Sequence, residues 1–295
     1  MRRPSPQPNC LSSVQPVISL RVYANCVWWA SMTSSLPIAP SPPQRRRPKR
    51  RGLPKVLLMG LLVGVIVAAY LVLRDDGEEP RRRPQPFPVP ELTPQANTTL
   101  PFQAPPVDLA RVPELSRRMQ IPERMLVAYA KAEELQRQVD PDCGISWTML
   151  AGIGRKESFH GRINSTSINP DGTLSKPIIG VPLDGSPGFR AVKDTDNGAM
   201  DQDTTWDRAV GPMQFIPTTW KRYAVRVSGD GQPADPQQVD DAAATAARYL
   251  CEVGGNELTR PQGWWKAVLT YNESVSYARD VFSGQDAYAK AVQSQ

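Results

Sequence analysis

Glu157 stands three residues after Gly154 and seven after Leu150, in a run that opens at Ser146. If that run is a helix, both offsets put the carboxyl group on the apolar, inward face. Burial disfavours the ionised form of a carboxyl group and raises its pKa. A carboxylic acid that keeps its proton near neutral pH can protonate a glycosidic oxygen. The bland alternative is an exposed glutamate at a helix end, which the neighbouring Arg155 and Lys156 favour. His160 is the single histidine; it belongs to no Ser-His-Asp motif and makes no metal site alone, so it reads as local structure. Asp194, Asp196, Asp201, Asp203 and Asp207 crowd one irregular stretch.

Three blocks give Glu157 a context. Ala151-Gly152-Ile153-Gly154-Arg155-Lys156-Glu157-Ser158 resembles the catalytic helix of lytic murein transglycosylases, in the branch typified by membrane-bound lytic transglycosylase B. Ala209-Val210-Gly211-Pro212-Met213-Gln214-Phe215-Ile216-Pro217-Thr218-Thr219-Trp220 resembles that family's second block, and Tyr271-Asn272-Glu273-Ser274 with Tyr277 its third. The order is the family's, and the middle block is highly specific. The resemblance implies a mainly α, lysozyme-like catalytic domain and names Glu157 as its single catalytic acid and base. It implies that Met213 and Gln214 line the glycan cleft, with Gln214 hydrogen-bonding an N-acetyl sugar. Tyr271 would approach the catalytic carboxyl group, Asn272 would hold substrate or the local turn, and Ser158 and Tyr277 would complete the substrate-binding set. Met213 and Phe215 could equally be core, and Asn272 a helix cap. The implied chemistry needs one carboxylate where many glycosidases use two. Glu157 protonates the leaving oxygen, the substrate's N-acetyl oxygen stabilises the cationic sugar, and Glu157 then takes the proton of the muramic acid 6-hydroxyl. A 1,6-anhydro end results, with no water consumed.

Some relatives carry a calcium loop after the second block, and Ser228-Gly229-Asp230-Gly231 through Asp235, Asp240 and Asp241 resembles it. Ser228 stands where those relatives have their first aspartate, and such a loop wants oxygen ligands at alternating positions with an aspartate first. No cofactor is expected; calcium near Asp230 is the one exception to test. Otherwise the aspartates are turn formers and caps.

The elements that must position these residues are mostly helices. After Pro122, Met125, Tyr129, Ala132, Leu135 and Val139 recur at helical spacing. Ser146 is an N-cap candidate for the helix of Glu157, with Trp147, Leu150, Ala151 and Gly154 on one face. Residues 158–210 are rich in Gly, Pro, Asp and Ser, a long irregular insertion with β-like pieces such as Ile178-Ile179-Gly180-Val181. Val239, Ala242, Ala243, Ala246, Tyr249 and Leu250 mark an amphipathic helix, Pro261 opens another that reaches Tyr271, and shorter helical stretches are expected to the end.

Domain by domain, residues 1–52 read as a disordered basic cytoplasmic tail, 53–73 as a transmembrane anchor, 74–112 as a proline-rich linker and 113–295 as the catalytic domain. Val56 to Leu73 is a run of eighteen residues without charge, about the thickness of a bilayer's hydrocarbon core. Arg45 to Arg51 precede it and Asp75, Asp76, Glu78 and Glu79 follow, so the basic side belongs in the cytoplasm and the catalytic domain outside the cell membrane. A cleaved signal peptide is the competing reading, but no small-x-small site precedes Arg74. Ten prolines between Pro80 and Pro113 make the linker an extended spacer. The net charge of +6 comes from the tail, because residues 113–295 hold 20 basic and 23 acidic residues. That segregation excludes a nucleic-acid surface. Peptidoglycan strands are the expected partner, contacted by a single-pass monomer. Cys143 and Cys251 fall on the oxidising side and are expected to bond to each other; two buried free thiols are the alternative. Two rival functions stay open. A water-using muramidase would need Asp203 or Asp207 as a second carboxylate, and a non-catalytic glycan-binding scaffold would keep only the cleft.

Overall fold

The computed structural model describes residues 86–293. The predicted tail, the anchor at 53–73 and residues 74–85 of the linker lie outside the described residues. Among the described residues no helix is long and apolar enough to cross a membrane.

Among the described residues, seven α-helices and one small sheet follow a mainly α plan: α1 (Val112–Met119), α2 (Glu123–Val139), α3 (Trp147–Ser158), β1 (Ile179–Pro182), β2 (Arg208–Val210), α4 (Pro217–Tyr223), α5 (Val239–Gly254), α6 (Pro261–Tyr271) and α7 (Val275–Gln293). The strands pair antiparallel, Ile179 opposite Val210 and Pro182 opposite Arg208. They hold the insertion together over a small core of Leu183, Val192, Ala209 and Ile216. In place of the expected short stretches at the C-terminus there is one helix of 19 residues. Its Ala and Gly positions carry little apolar periodicity in sequence, yet they permit close packing.

That packing concerns α3, buried on nearly every side. Gly152 of α3 lies against α7, where an added Cβ would stand 2.8 Å from the Val281 carbonyl oxygen, and Gly284 faces Gly152 in return. The two helices approach on glycines because no side chain fits between them. Ser146 caps α3 as its type suggests, accepting the Met149 N–H at 3.2 Å. Cys143, just before α3, is disulfide-bonded to Cys251 of α5 with Cα atoms 5.5 Å apart.

Two differences from the sequence expectation are physical. On α2, Met125, Tyr129 and Ala132 are buried as expected, but the inner face continues through Glu133 and Gln136, and Val139 is 72% exposed. The helix packs on α5 along a track that polar residues complete. The second difference is the linker. Residues 86–108 form no helix or strand and turn at 96–98, yet they lie along the domain as a strap. Phe87 stacks on Tyr288 at 5.1 Å between ring centroids. The Leu92 N–H donates to Ser283 Oγ and the Phe102 N–H to Asp286 Oδ1. Trp265 and Trp147 donate their indole N–H groups to the carbonyls of Thr99 and Pro105. A proline-rich backbone has carbonyls with no internal partners; here two tryptophans supply the donors. Residues 87–105 therefore pack against the domain predicted to begin at 113.

Candidate active site

Glu157 closes the last turn of α3 with 0% of its surface exposed. Tyr277, early in α7, donates its hydroxyl to Glu157 Oε1 at 2.5 Å. Glu157 Oε2 has no hydrogen-bond partner among the described residues. Burial pushes the carboxyl pKa up to about 8, against the lowering effects of the Tyr277 bond and the Lys156 ammonium. Lys156 is itself paired with Asp280 at 2.6 Å, so its charge is partly spent. Burial and the nearby carboxylate also raise the Tyr277 phenol well above its ordinary value, which keeps it a donor. With Oε1 accepting from Tyr277, the proton of the neutral acid belongs on Oε2. The group is an acid with its proton on the unpartnered oxygen.

Gln214 supplies the second unpartnered atom. It sits in a left-handed conformation, φ +51°, inside a turn that Val210 and Phe215 close with reciprocal backbone bonds of 2.8 and 3.0 Å. Gly211 makes that turn possible, since a Cβ there would meet the Pro236 carbonyl oxygen at 1.8 Å. The Gln214 amide donates from Nε2 to the Gly211 carbonyl at 2.9 Å, while its buried Oε1 has no partner among the described residues. Gly180 of β1 lies opposite; a Cβ added there would stand 3.0 Å from that oxygen. A buried, oriented carbonyl oxygen without a donor is suited to an incoming N–H group.

The other predicted residues divide. Ser158 is buried and committed, donating to the Pro212 carbonyl at 2.6 Å and accepting from the Gly161 N–H at 2.8 Å. Met213 is fully buried in the main core. Tyr271, expected at the catalytic carboxyl group, is close enough for Glu157 to raise its pKa, but it donates its hydroxyl to the Met213 carbonyl at 2.6 Å. The direct phenol bond to Glu157 is Tyr277's. Asn272 caps α6 and accepts the Ser274 N–H, which is the local-turn role.

The aspartates of the insertion are turn formers. Asp203 accepts from Thr205 and Trp206 N–H groups and pairs with Arg208, and Asp207 accepts from the backbone and hydroxyl of Thr195. Asp194, Asp196 and Asp207 bring carboxylate oxygens within 4.8 Å of one another. Around Asp230 the expected calcium ligands are taken by a cation of the protein itself. Arg226 pairs with both Asp230 and Asp241, and Asp241 also accepts the N–H groups of Val227 and Asp235. Ser228 in place of a first aspartate goes with that internal guanidinium.

Two features escaped the sequence reading. Gly180 has no motif to mark it. His160 is bonded on both ring nitrogens, to the Tyr129 hydroxyl at Nδ1 (3.1 Å) and the Tyr288 hydroxyl at Nε2 (2.9 Å). Its partners lie 31 and 128 residues away, beyond any local pattern.

The helical domain thus buries a carboxyl group of raised pKa with one oxygen unpartnered, and a glutamine amide oxygen without a donor, which are groups able to exchange a proton and to accept a hydrogen bond. Residues 189–264 match the family model described as a transglycosylase SLT domain. The matched segment contains the second block, with Gln214, and lies downstream of Glu157. No curated protein matches the chain. Two solved structures of the Escherichia coli lytic transglycosylase Slt35, one in complex with bulgecin A and one with calcium, align at 16% identity. Each alignment covers 65% of this chain and 86% of that one, at a TM-score of 0.37, too loose a superposition to carry residues across.

Proposed function

We propose that this protein is a membrane-anchored lytic transglycosylase that cleaves the MurNAc–GlcNAc bond of peptidoglycan, with Glu157 first as acid and then as base. The observation that carries this reading is the Glu157 carboxyl group, protonated to about pH 8, with Oε1 held by Tyr277 and Oε2 unpartnered. In the first step the Oε2 proton passes to the glycosidic oxygen and the bond from that oxygen to muramic C1 breaks. The substrate's N-acetyl oxygen shares the positive charge at C1. Glu157, now a carboxylate in a dry site, is a strong base and takes the proton of the 6-hydroxyl as O6 bonds to C1. The proton count closes: Glu157 ends as it began, and the product is a 1,6-anhydroMurNAc end.

Gln214 fits the recognition of the substrate's acetamido group. Its own N–H is pinned to Gly211, so it offers an acceptor to an amide N–H. Tyr271, Ser158 and Met213 shape this wall from behind, and Asn272 fixes the turn that leads to Tyr277. Export suits the disulfide, because structural disulfides persist in oxidising compartments. We place the catalytic domain outside the cell membrane, behind the anchor at 53–73, as a lysozyme-like monomer on glycan strands. The water-using muramidase is disfavoured by the bonds that Asp203 and Asp207 already make. The test is product mass. Purified peptidoglycan digested in ¹⁸O-labelled water should give anhydro ends lighter than hydrolysed ends by one water and free of label; labelled reducing ends would refute it.

A further inference from the structure

We propose that His160 is a positioning residue for this reaction, which bolts the turn after α3 between the Tyr129 and Tyr288 hydroxyls and so holds Glu157 against Tyr277 and Gln214. The inference rests on the proposed function and names a residue that the three sequence blocks do not assign a role.

The turn needs holding. Phe159, His160 and Gly161 are successive left-handed residues, with φ of +51°, +60° and +79°. Two of them carry a Cβ, for which this conformation is disfavoured unless the surroundings fix it. The His160 N–H donates back to the Gly154 carbonyl at 2.9 Å, inside the last turn of α3. The Gly161 N–H reaches Ser158 Oγ, and that hydroxyl reaches the Pro212 carbonyl, two residues before Gln214. Residues 158–161 thus join the helix of Glu157 to the block of Gln214.

The imidazole ties the same joint to two further helices. Tyr129 comes from α2 and Tyr288 from α7, the helix that also delivers Tyr277. Tyr129 is placed closely: its hydroxyl lies in the notch that Gly154 leaves, 1.9 Å from where a Cβ would be. Phe87 of the strap covers the Tyr288 ring from the other side. Only a neutral imidazole offers one donor and one acceptor on opposite edges of a rigid ring. Burial first, then the Arg162 and Arg155 guanidinium groups, lower its pKa to about 3, so it stays neutral where the enzyme would work.

The experiment compares the full-length protein with its His160→Gln, Tyr129→Phe and Tyr288→Phe variants on purified peptidoglycan, across pH 5 to 9. A displacement of roughly 1 Å at a reacting group can cost on the order of 100-fold. His160→Gln should therefore lose about 10- to 100-fold in kcat with KM within about twofold, and the alkaline limb of its pH profile should move below pH 8. The two phenylalanine variants should shift kcat and the limb the same way, each by less. A purely structural histidine would lower the melting temperature while leaving kcat, KM and the alkaline limb per folded molecule unchanged, and that result overturns the proposal. If His160→Gln does not fold, the two phenylalanine variants decide on the same readouts. A readout free of activity separates this proposal from the proposed function. The pH at which the stability difference between Glu157→Gln and its parent levels off should fall when His160→Gln is added to both. An unmoved plateau refutes positioning even if the wild type cleaves nothing.

Discussion

Replacing Glu157 with Gln should change how the protein's stability depends on pH, by an amount the burial of this one group sets. In the unfolded chain the carboxyl group releases its proton near 4.5, and in the folded protein only near 8. Between those values the folded state holds a proton that the unfolded state has lost, so stability falls as pH rises through that window and levels off above it. At about 1.4 kcal/mol per pH unit the full window amounts to roughly 4–5 kcal/mol. Glutamine removes the dependence and keeps the shape. Its Oε1 accepts from Tyr277, and its Nε2 falls where the acid's own proton already lacks a partner. The two proteins should thus agree to within about 1 kcal/mol at pH 5. At pH 8 to 9 the variant should be more stable by about 4 kcal/mol, roughly 10 °C in Tm for a domain of this size. Activity should fall by ~10⁴-fold or more, since both proton transfers are lost. Denaturant titrations of both proteins at each pH unit from 5 to 9 measure the difference directly. Parallel curves across that range would refute the buried, protonated Glu157, and with it the acid–base assignment.

Glu133 predicts the same sign in a narrower window. Burial raises its carboxyl to about 7 against a bond from the Trp147 N–H, so Glu133→Gln should gain up to about 3 kcal/mol above pH 7 and nothing below 4.5. A gain at pH 4 in denaturant titrations would contradict it. Breaking the Cys143–Cys251 bond, which closes a separation of 108 residues, should cost up to about 4–5 kcal/mol. Unreduced peptide mapping by mass should find the linked pair, and quantitative alkylation of both thiols in the native protein would rule it out. Gln214→Ala should raise KM while leaving measurable turnover, since it removes an acceptor and no proton; a loss as deep as that of Glu157→Gln would assign it to the chemistry. At the Asp230 loop, Arg226→Ala should lower the melting temperature, because it leaves the buried Asp241 carboxylate without its cation. Thermal scans of the wild type with calcium and with chelator should coincide if Arg226 fills that loop.

What could be read from the sequence was whatever depends on neighbours in the chain. The cap at Ser146, the bounds of α6 and the inward face of Glu157 all follow from spacings of three to seven residues and are present as expected. The course of α2 was misjudged because its inner face runs through Glu133 and Gln136, polar residues that a hydrophobic period discards. Residues 86–108 were read as spacer because proline content reports backbone extension but not what the backbone rests on. Their docking is decided by Trp147 and Trp265, 42 and 166 residues away from the carbonyls they bond.

The two tyrosines show where spacing stops informing. Tyr271 and Tyr277 are six residues apart in the same block, both are buried, and burial first, then the neighbouring Glu157, raises the pKa of both. Yet Tyr271 ends α6, where its hydroxyl reaches the Met213 carbonyl, and Tyr277 starts α7, where its hydroxyl reaches Glu157. The turn that Asn272 makes through the Ser274 N–H redirects the chain between them. Which phenol meets the acid therefore depends on how α7 lies against α3, and the two helices meet closely at Gly152 and Gly284. A larger side chain at either glycine would push α7 away from α3 and draw Tyr277 off Oε1. Glu157 would then lose the bond that leaves its proton on Oε2, although neither Glu157 nor Tyr277 had been altered.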